Sequence, residues 1–421
     1  MSSALTKLRE ATNELRGRTF WIIIGCLICQ MGLGLTFVKG GLASDLISGL
    51  GLSRTQFSAA NLPQLMVQSL VSPVVGMLAV RMGASRILAF SSVLFAAVFL
   101  FFAQIESAAG FYLAIAGVGL AAAGMGDITV GHIVSQWVRK NRGLALGIAY
   151  AGSNLGGGIM AMLTGSVAAA YGWRQGLLIV APVALFILLP ASLFLVREPR
   201  PGELSDRSGP PQAHDPPAHS APATAGALDL KAALRTRSFW ILTITLFTFF
   251  FYLTSVLDHL VLLLIENGVT KEDAKMFYGQ AVGLGVVSKI AGGFLADQIR
   301  HERAILYDFG LLAASSLFLV LLPHTALVYL FVFSFGFSQA ARDVVYPLVL
   351  GRCFGDRYLG EIYGAMTVML LPGGVLGPMF TGLMRDRLGN YDFAFNTIAV
   401  INLFAFGLLF FVRDERTPPA H

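Results

Sequence analysis

The chain has 421 residues, 55% hydrophobic and only 13% charged, with a mean hydropathy of +0.70 and a formal net charge of +6. A soluble domain of this length carries about twice that charged fraction, so a water-soluble globular protein is excluded. Apolar runs of about 20 residues, each long enough to cross a bilayer as a helix, recur along nearly the whole sequence, which makes this an all-α polytopic membrane protein.

The N-terminal MSSALTKLREATNELRGR is charged and leads into an apolar run too long for a signal core, so no cleavable signal is expected. Twelve spans are predicted, over 20–45, 57–80, 86–105, 110–137, 143–170, 175–196, 239–265, 274–297, 303–322, 326–351, 360–384 and 392–412. Cys26 and Cys29 have the spacing of a redox motif, but inside a spanning helix they read as packing residues. Between spans six and seven a Pro-, Ala-, Ser- and His-rich stretch reads as a linker, ending in LDLKAALRTR, a candidate short surface helix. The organisation expected is therefore a first half over 1–196, a linker over 197–238 and a second half over 239–421.

Lysines and arginines in the connections number 21 on the side of the termini and linker and 6 on the opposite side. The positive-inside bias then places both termini in the cytoplasm and the protein in the inner (plasma) membrane. The net charge is accounted for by this bias, so nucleic-acid binding is not inferred. Three bases remain inside spans, Lys39, Lys289 and Arg342, with three acids, Asp127, Asp258 and Asp343, and with His132 and His259 as titratable extras. A charge at the bilayer centre costs roughly 2.5–3.5 kcal/mol on insertion scales, so such residues mark candidate functional positions.

The chain also repeats itself. At a shift of 217 residues Gly51, Gly76, Gly143, Gly147, Gly156, Gly157, Gly165 and Gly172 fall on Gly268, Gly293, Gly360, Gly364, Gly373, Gly374, Gly382 and Gly389. At a shift of 219 RTFW (18–21) falls on RSFW (237–240), and Lys39 on Asp258. Two pseudo-symmetric six-helix halves joined by a linker resemble the major facilitator superfamily, and GMLAVRMGASR and GGFLADQIR are similar to its loop signature. Val80 stands where that signature has an aspartate, whereas Asp297 keeps it in the second half. The resemblance implies a substrate site near the midplane between halves that rock about it.

A narrower resemblance is carried by QWVRKNRGLALGIAYAGSNLGGG (136–158), which is similar to the signature of the monocarboxylate transporter family and the related bacterial oxalate–formate exchanger group. Arg142, Leu144, Ala145, Gly147, Ala149, Ala151 and Gly152 fit it. Within that resemblance Lys39 matches a lysine implicated in substrate uptake, and Lys289 stands where the family has a carboxylate-binding arginine. Two positions depart: the span-one acidic, tryptophan-containing motif is replaced by TFVKGGLAS, and Gly285 stands where the family has an acid one turn before Lys289.

Each buried charge then has competing readings. Lys289 is a substrate anchor or half of a static pair with an acid on another helix. Lys39 and Asp258 are expected to meet on the periplasmic side when the site faces inward, as a gate or as a permanent ion pair. His259 beside them could titrate near physiological pH. Asp127 and Asp343 are candidate proton carriers, since desolvation favours the protonated form of a buried acid; one of the two is expected to be structural. Arg342 and Asp343 are helix neighbours about 100° apart, so they are not expected to face the pore together. Arg342 is expected in the cavity or on Asp127, and Tyr346, one turn away, is a possible donor to a bound anion. His132 is a proton carrier or a packing histidine. Asn61, Gln64 and Gln68 could touch a polar substrate, although interhelical hydrogen bonding is their commoner use.

The leading expectation is a secondary transporter of a small monocarboxylate, lactate- or pyruvate-like, coupled to protons, needing no cofactor or metal and acting as a single chain in the lipid bilayer. The alternatives are a carboxylate exchanger of oxalate–formate type and a transporter-like ligand sensor. No nucleotide loop, metal cluster or nucleophile–base pair suggests an enzyme.

Overall fold

The computed structural model describes residues 17–138, 142–199, 203, 228–296, 301–321, 325–355 and 358–416. Asp297, residues 139–141 of the span-five signature and most of the linker lie outside them. Among the described residues nine helices are long and apolar enough to cross a membrane, covering spans one to seven, eleven and twelve. Spans nine and ten contain shorter apolar stretches, Ile305–Val320 and Ala326–Ala340. Span eight, Lys271–Gly283 followed by Gly285–Ala296, begins in polar residues. The linker's end forms only the short helix Leu230–Ala233, capped by the Asp229 side chain.

Several spans are broken where the sequence reads as continuous. Span one runs Arg18–Gly34, tightens into a 3₁₀ turn at Leu35–Phe37, and resumes as Val38–Gly41 with Lys39 in its last turn. Span four is split by Gly126, whose backbone is extended (φ −72°, ψ 179°), so that Ala108–Met125 ends and Asp127–Trp137 starts in mid-span. The restart puts Asp127 in a first helical turn, where the dipole favours a negative charge. Span six holds two widened π stretches, Ala184–Leu188 and Ala191–Leu195, beside Pro182 and Pro190, which cannot donate to a regular helical ladder.

Several glycines of the repeat have a structural cause in both copies. Gly51 and Gly268 both sit at positive φ (62° and 84°), ending the helices of spans one and seven. A Cβ on Gly156 would lie 2.5 Å from the Met31 carbonyl of span one, and one on Gly373 would lie 2.8 Å from the Phe247 carbonyl of span seven. Gly165 admits the Lys275 side chain from span eight, while Gly382 admits the Arg54 backbone from span two. Spans five and eleven thus do the same work in each half: they pack against the first helix of their own half and against the second helix of the other.

Contacts between the halves concentrate on the face opposite the termini. Near the middle, Gly158 of span five packs against Gly283 of span eight so tightly that a Cβ would come within 2.8 Å of the Gly283 Cα. Overpacking of this kind costs about 1–3 kcal/mol. Gly158→Val is therefore expected to open the far face. A cysteine placed at the fully buried Ala161 should then react faster with an impermeant maleimide, against native cysteines that are all buried. An unchanged rate would show that closure does not depend on this contact.

Candidate functional site

Midway along span eight, Lys289 is only 6% exposed. Its ammonium lies 3.2 Å from the Asp343 carboxylate of span ten and donates to the Ser153 hydroxyl (3.0 Å) and the Tyr150 carbonyl (3.3 Å) of span five. The other Asp343 oxygen accepts from the Arg342 guanidinium. That guanidinium sits over the Phe249 and Phe250 rings of span seven, 5.0 and 4.7 Å from their centroids, with Tyr363 of span eleven close by. Two cations therefore converge on one carboxylate.

Of the two places expected for Arg342, the cavity and Asp127, the second is corrected: Arg342 pairs with its helix neighbour Asp343, their side chains meeting although the two positions lie about 100° apart on the helix.

Asp127 faces this group from the first half. Its carboxylate accepts from the Gln30 amide of span one at 2.6 Å, and its side chain is exposed although it lies in mid-span. It therefore lines a cavity open to solvent. The Tyr150 hydroxyl donates to the Asp127 carbonyl at 3.0 Å, so Tyr150 joins the broken helix of span four to Lys289. Across the cavity, Gly364 of span eleven has open space where a Cβ would point. His132 is half-buried and takes a hydrogen bond from Gln136, four residues on, at 2.9 Å. Tyr346 is not in the cavity: it is buried, and its hydroxyl donates to the Leu242 carbonyl of span seven. That bond satisfies the phenol inside the second half and leaves nothing for a bound anion.

Sequence reasoning missed Gln30, Tyr150 and Tyr363, whose roles depend on contacts between distant segments. It also left Asp308 of span nine out of the buried acids, although that residue is 5% exposed. The three bases and three acids first counted balance, and Asp308 adds a fourth acid to them.

A second cluster closes the far face. Lys39 and Asp258, 5% and 4% exposed, form an ion pair at 2.9 Å between spans one and seven. Asn61 of span two completes it, accepting from Lys39 (2.5 Å) and donating to Asp258 (2.7 Å), and Phe57 lies 4.8 Å from the ammonium. His259 is fully buried. Its Nδ1 lies 3.1 Å from the Tyr391 hydroxyl, and its Nε2 lies 2.9 Å from the Ser58 hydroxyl and 3.0 Å from the Pro378 carbonyl. A neutral ring protonated at Nε2 donates to Pro378 and accepts from Tyr391. The expectation of a freely titrating histidine thus gives way to a clamp joining spans two, seven and eleven.

Nearer the surface, Asp45 receives both Lys271 (2.6 Å) and Lys275 (2.7 Å) from span eight. Glu266 binds Arg385 (2.9 Å) and Arg54 (3.7 Å). Asp386 of span eleven accepts from the Arg54 and Thr55 backbone N–H groups and the Thr55 hydroxyl, capping span two across the interface. Among the described residues no group of three or more His, Cys, Asp or Glu side chains could hold a metal ion.

A family model for the Major Facilitator Superfamily matches residues 21–378. The chain is 22% identical to the nitrite extrusion protein of Bacillus subtilis (strain 168), over 98% of this chain and 95% of that one. It is 27% identical to human monocarboxylate transporter 11 over 89% and 79%, and 24% identical to the hexuronate transporter of B. subtilis over 70% and 72%. Among solved structures, a bacterial homologue of the human lysosomal transporter Spinster, in an inward-facing and occupied conformation, superposes with a TM-score of 0.70 at 18% identity, covering 96% of this chain and all of that one; at that identity the likeness speaks for the fold. With twelve spans in two pseudo-symmetric halves and a family match over most of its length, the chain belongs to the major facilitator superfamily and is a multi-pass membrane transporter rather than an enzyme.

Proposed function

We propose that the protein is a proton-coupled secondary transporter of a small monocarboxylate of the lactate or pyruvate class. It works by alternating access as a single chain in the inner membrane, with both termini and the linker in the cytoplasm. One observation carries this reading: Lys289 and Arg342 share a single acid, Asp343, beside a solvent-open cavity. Lys289 and Arg342 thereby offer an incoming carboxylate the two cationic donors that Asp343 now holds. The relatives named above, carriers of monocarboxylate, hexuronate and nitrite, all concern anions, which supports the same class of substrate.

In this scheme the substrate carboxylate enters between Lys289 and Arg342 and displaces Asp343. An anion that binds one state of the carrier better than the other shifts the equilibrium towards that state. The Lys39–Asp258 pair, with the rim around Asp45, Glu266 and Asp386, forms the periplasmic gate that must part in the other half of the cycle. Convergence of Lys289 and Arg342 on one point also supports a second reading, exchange involving a dicarboxylate, since a doubly charged substrate needs two cations facing it.

Uptake of radiolabelled lactate into proteoliposomes separates the two readings. Accumulation under an inward proton gradient, abolished by a protonophore, is the expected result. Uptake that requires a preloaded internal anion and ignores the gradient would replace symport with exchange. No uptake in either format would remove lactate as a substrate.

A further inference from the structure

Asp308 stands apart from every group used so far. It lies on span nine, His301–Val320, is 5% exposed, and its Oδ1 finds no hydrogen-bond donor among the described residues. Nearby is a matching deficit: the Nε of Arg342 is buried and likewise without an acceptor. The two residues are linked through packing. Phe309, next to Asp308, places its ring 6.3 Å from Phe249, and Phe249 is one of the two rings beneath the Arg342 guanidinium.

The charged groups acting on Asp308 are Arg342 and Asp343 of span ten. Span twelve, which also packs on span nine, carries one acid, Asp392, at its opposite end. Lys289 of span eight is directed at Asp343. On span nine itself Arg303 and Tyr307 are exposed on the outer surface.

An ionised carboxylate in this setting would leave a charge in low dielectric with an empty acceptor, whereas the neutral acid avoids that cost. An arginine with a buried unused N–H, held by an acid on its own helix, has a second place to go. We infer that Asp308 is the proton-binding residue of the transport cycle and that Arg342 switches between Asp343 and Asp308. In the state seen here Asp308 holds the proton and Arg342 rests on Asp343. When Arg342 turns to Asp308, the O–H bond of the acid breaks, its electron pair stays on the carboxylate, and the proton passes to cavity water on the side of Asp343. The new ion pair leaves net charge in the buried region unchanged apart from the released proton. On return, a proton re-enters and Arg342 is handed back to Asp343. Proton movement is then tied to the same arginine that serves the substrate.

The inference rests on the proton-coupled reading above, so wild-type protein is measured first. If it shows no proton-driven lactate accumulation, that reading fails and takes this one with it. Given wild-type accumulation, Asp308→Asn fixes the neutral form at nearly constant volume. The expected result is lactate counterflow close to wild type, with gradient-driven accumulation falling to the equilibrium ratio, and partial recovery of accumulation in Asp308→Glu. Accumulation retained in Asp308→Asn would overturn the inference. Loss of counterflow together with accumulation would overturn it too, since a neutral isostere would then fail at the substrate cycle itself; intact counterflow also shows that the variant is folded.

Discussion

Lys289→Ala is expected to reduce substrate uptake at least about 30-fold while leaving folding and membrane insertion intact. Truncating one partner of a buried, hydrogen-bonded charge pair costs roughly 2–5 kcal/mol of binding, and each 1.4 kcal/mol is about a factor of ten. Folding should survive because Asp343 keeps a cationic partner in Arg342. The Ser153 hydroxyl and Tyr150 carbonyl that Lys289 now engages are not charged, so its removal strands no second ion. The decisive comparison is uptake per reconstituted molecule, with thermal stability in detergent as the control. A variant that transports with unchanged affinity would reduce Lys289 to a structural half of an ion pair. Lys289→Arg should retain part of the activity, since the charge remains but the fork of the guanidinium does not reproduce the single contact point of an ammonium.

The second large effect concerns the gate. Lys39→Ala leaves the Asp258 carboxylate buried with only the Asn61 amide for company, and stranding one member of a buried pair costs about 3–5 kcal/mol. That cost falls on the far-face-closed state alone, so the variant should be driven towards the far-face-open state and transport should fall sharply. Exposure of a cysteine at Ala161 reports the first effect and lactate uptake the second. The double swap Lys39→Asp/Asp258→Lys should recover part of both. Asn61 makes recovery feasible: its amide offers an oxygen to the lysine and an NH₂ to the aspartate, and turning over by 180° exchanges those two roles. If the swap recovers neither transport nor closure, the pair is not acting as a direct electrostatic latch.

How much of this was readable in the sequence depends on whether the information was local, periodic or spatial. Span positions followed from hydropathy. The meeting of Lys39 and Asp258 was anticipated because the repeat relates them and both fall in the outer third of the pseudo-equivalent spans one and seven. The glycines of spans five and eleven were legible for the same reason, and their close approaches give the repeat a steric basis. Geometry within the cavity was less accessible. Helical angles between Cα atoms said that Arg342 and Asp343 diverge, yet the arginine has enough rotatable bonds to return to its neighbour. Tyr346 looked available because helix spacing cannot reveal a carbonyl on another span. Asp308 falls inside the predicted span nine, 303–322, but beside the charged start HERAILYD nothing local marks it as buried; packing against spans ten and twelve does that. Gln30 meets Asp127 across 97 residues of sequence, a separation at which neither periodicity nor spacing gives any sign.

The far face combines two kinds of ionic contact with different sensitivity to the medium. The Lys39–Asp258 pair is sealed from water, whereas Lys271, Arg54, Arg385 and Glu266 are partly exposed at the rim. Dissolved salt screens exposed charges over about 8 Å at physiological ionic strength and about 30 Å in dilute solution, and reaches buried pairs far less. Ionic strength in the solution that bathes this face therefore sets how firmly the rim holds while leaving the inner latch untouched. The same carrier facing dilute solution or brine would have a different resting bias, with no change in sequence and no regulator bound.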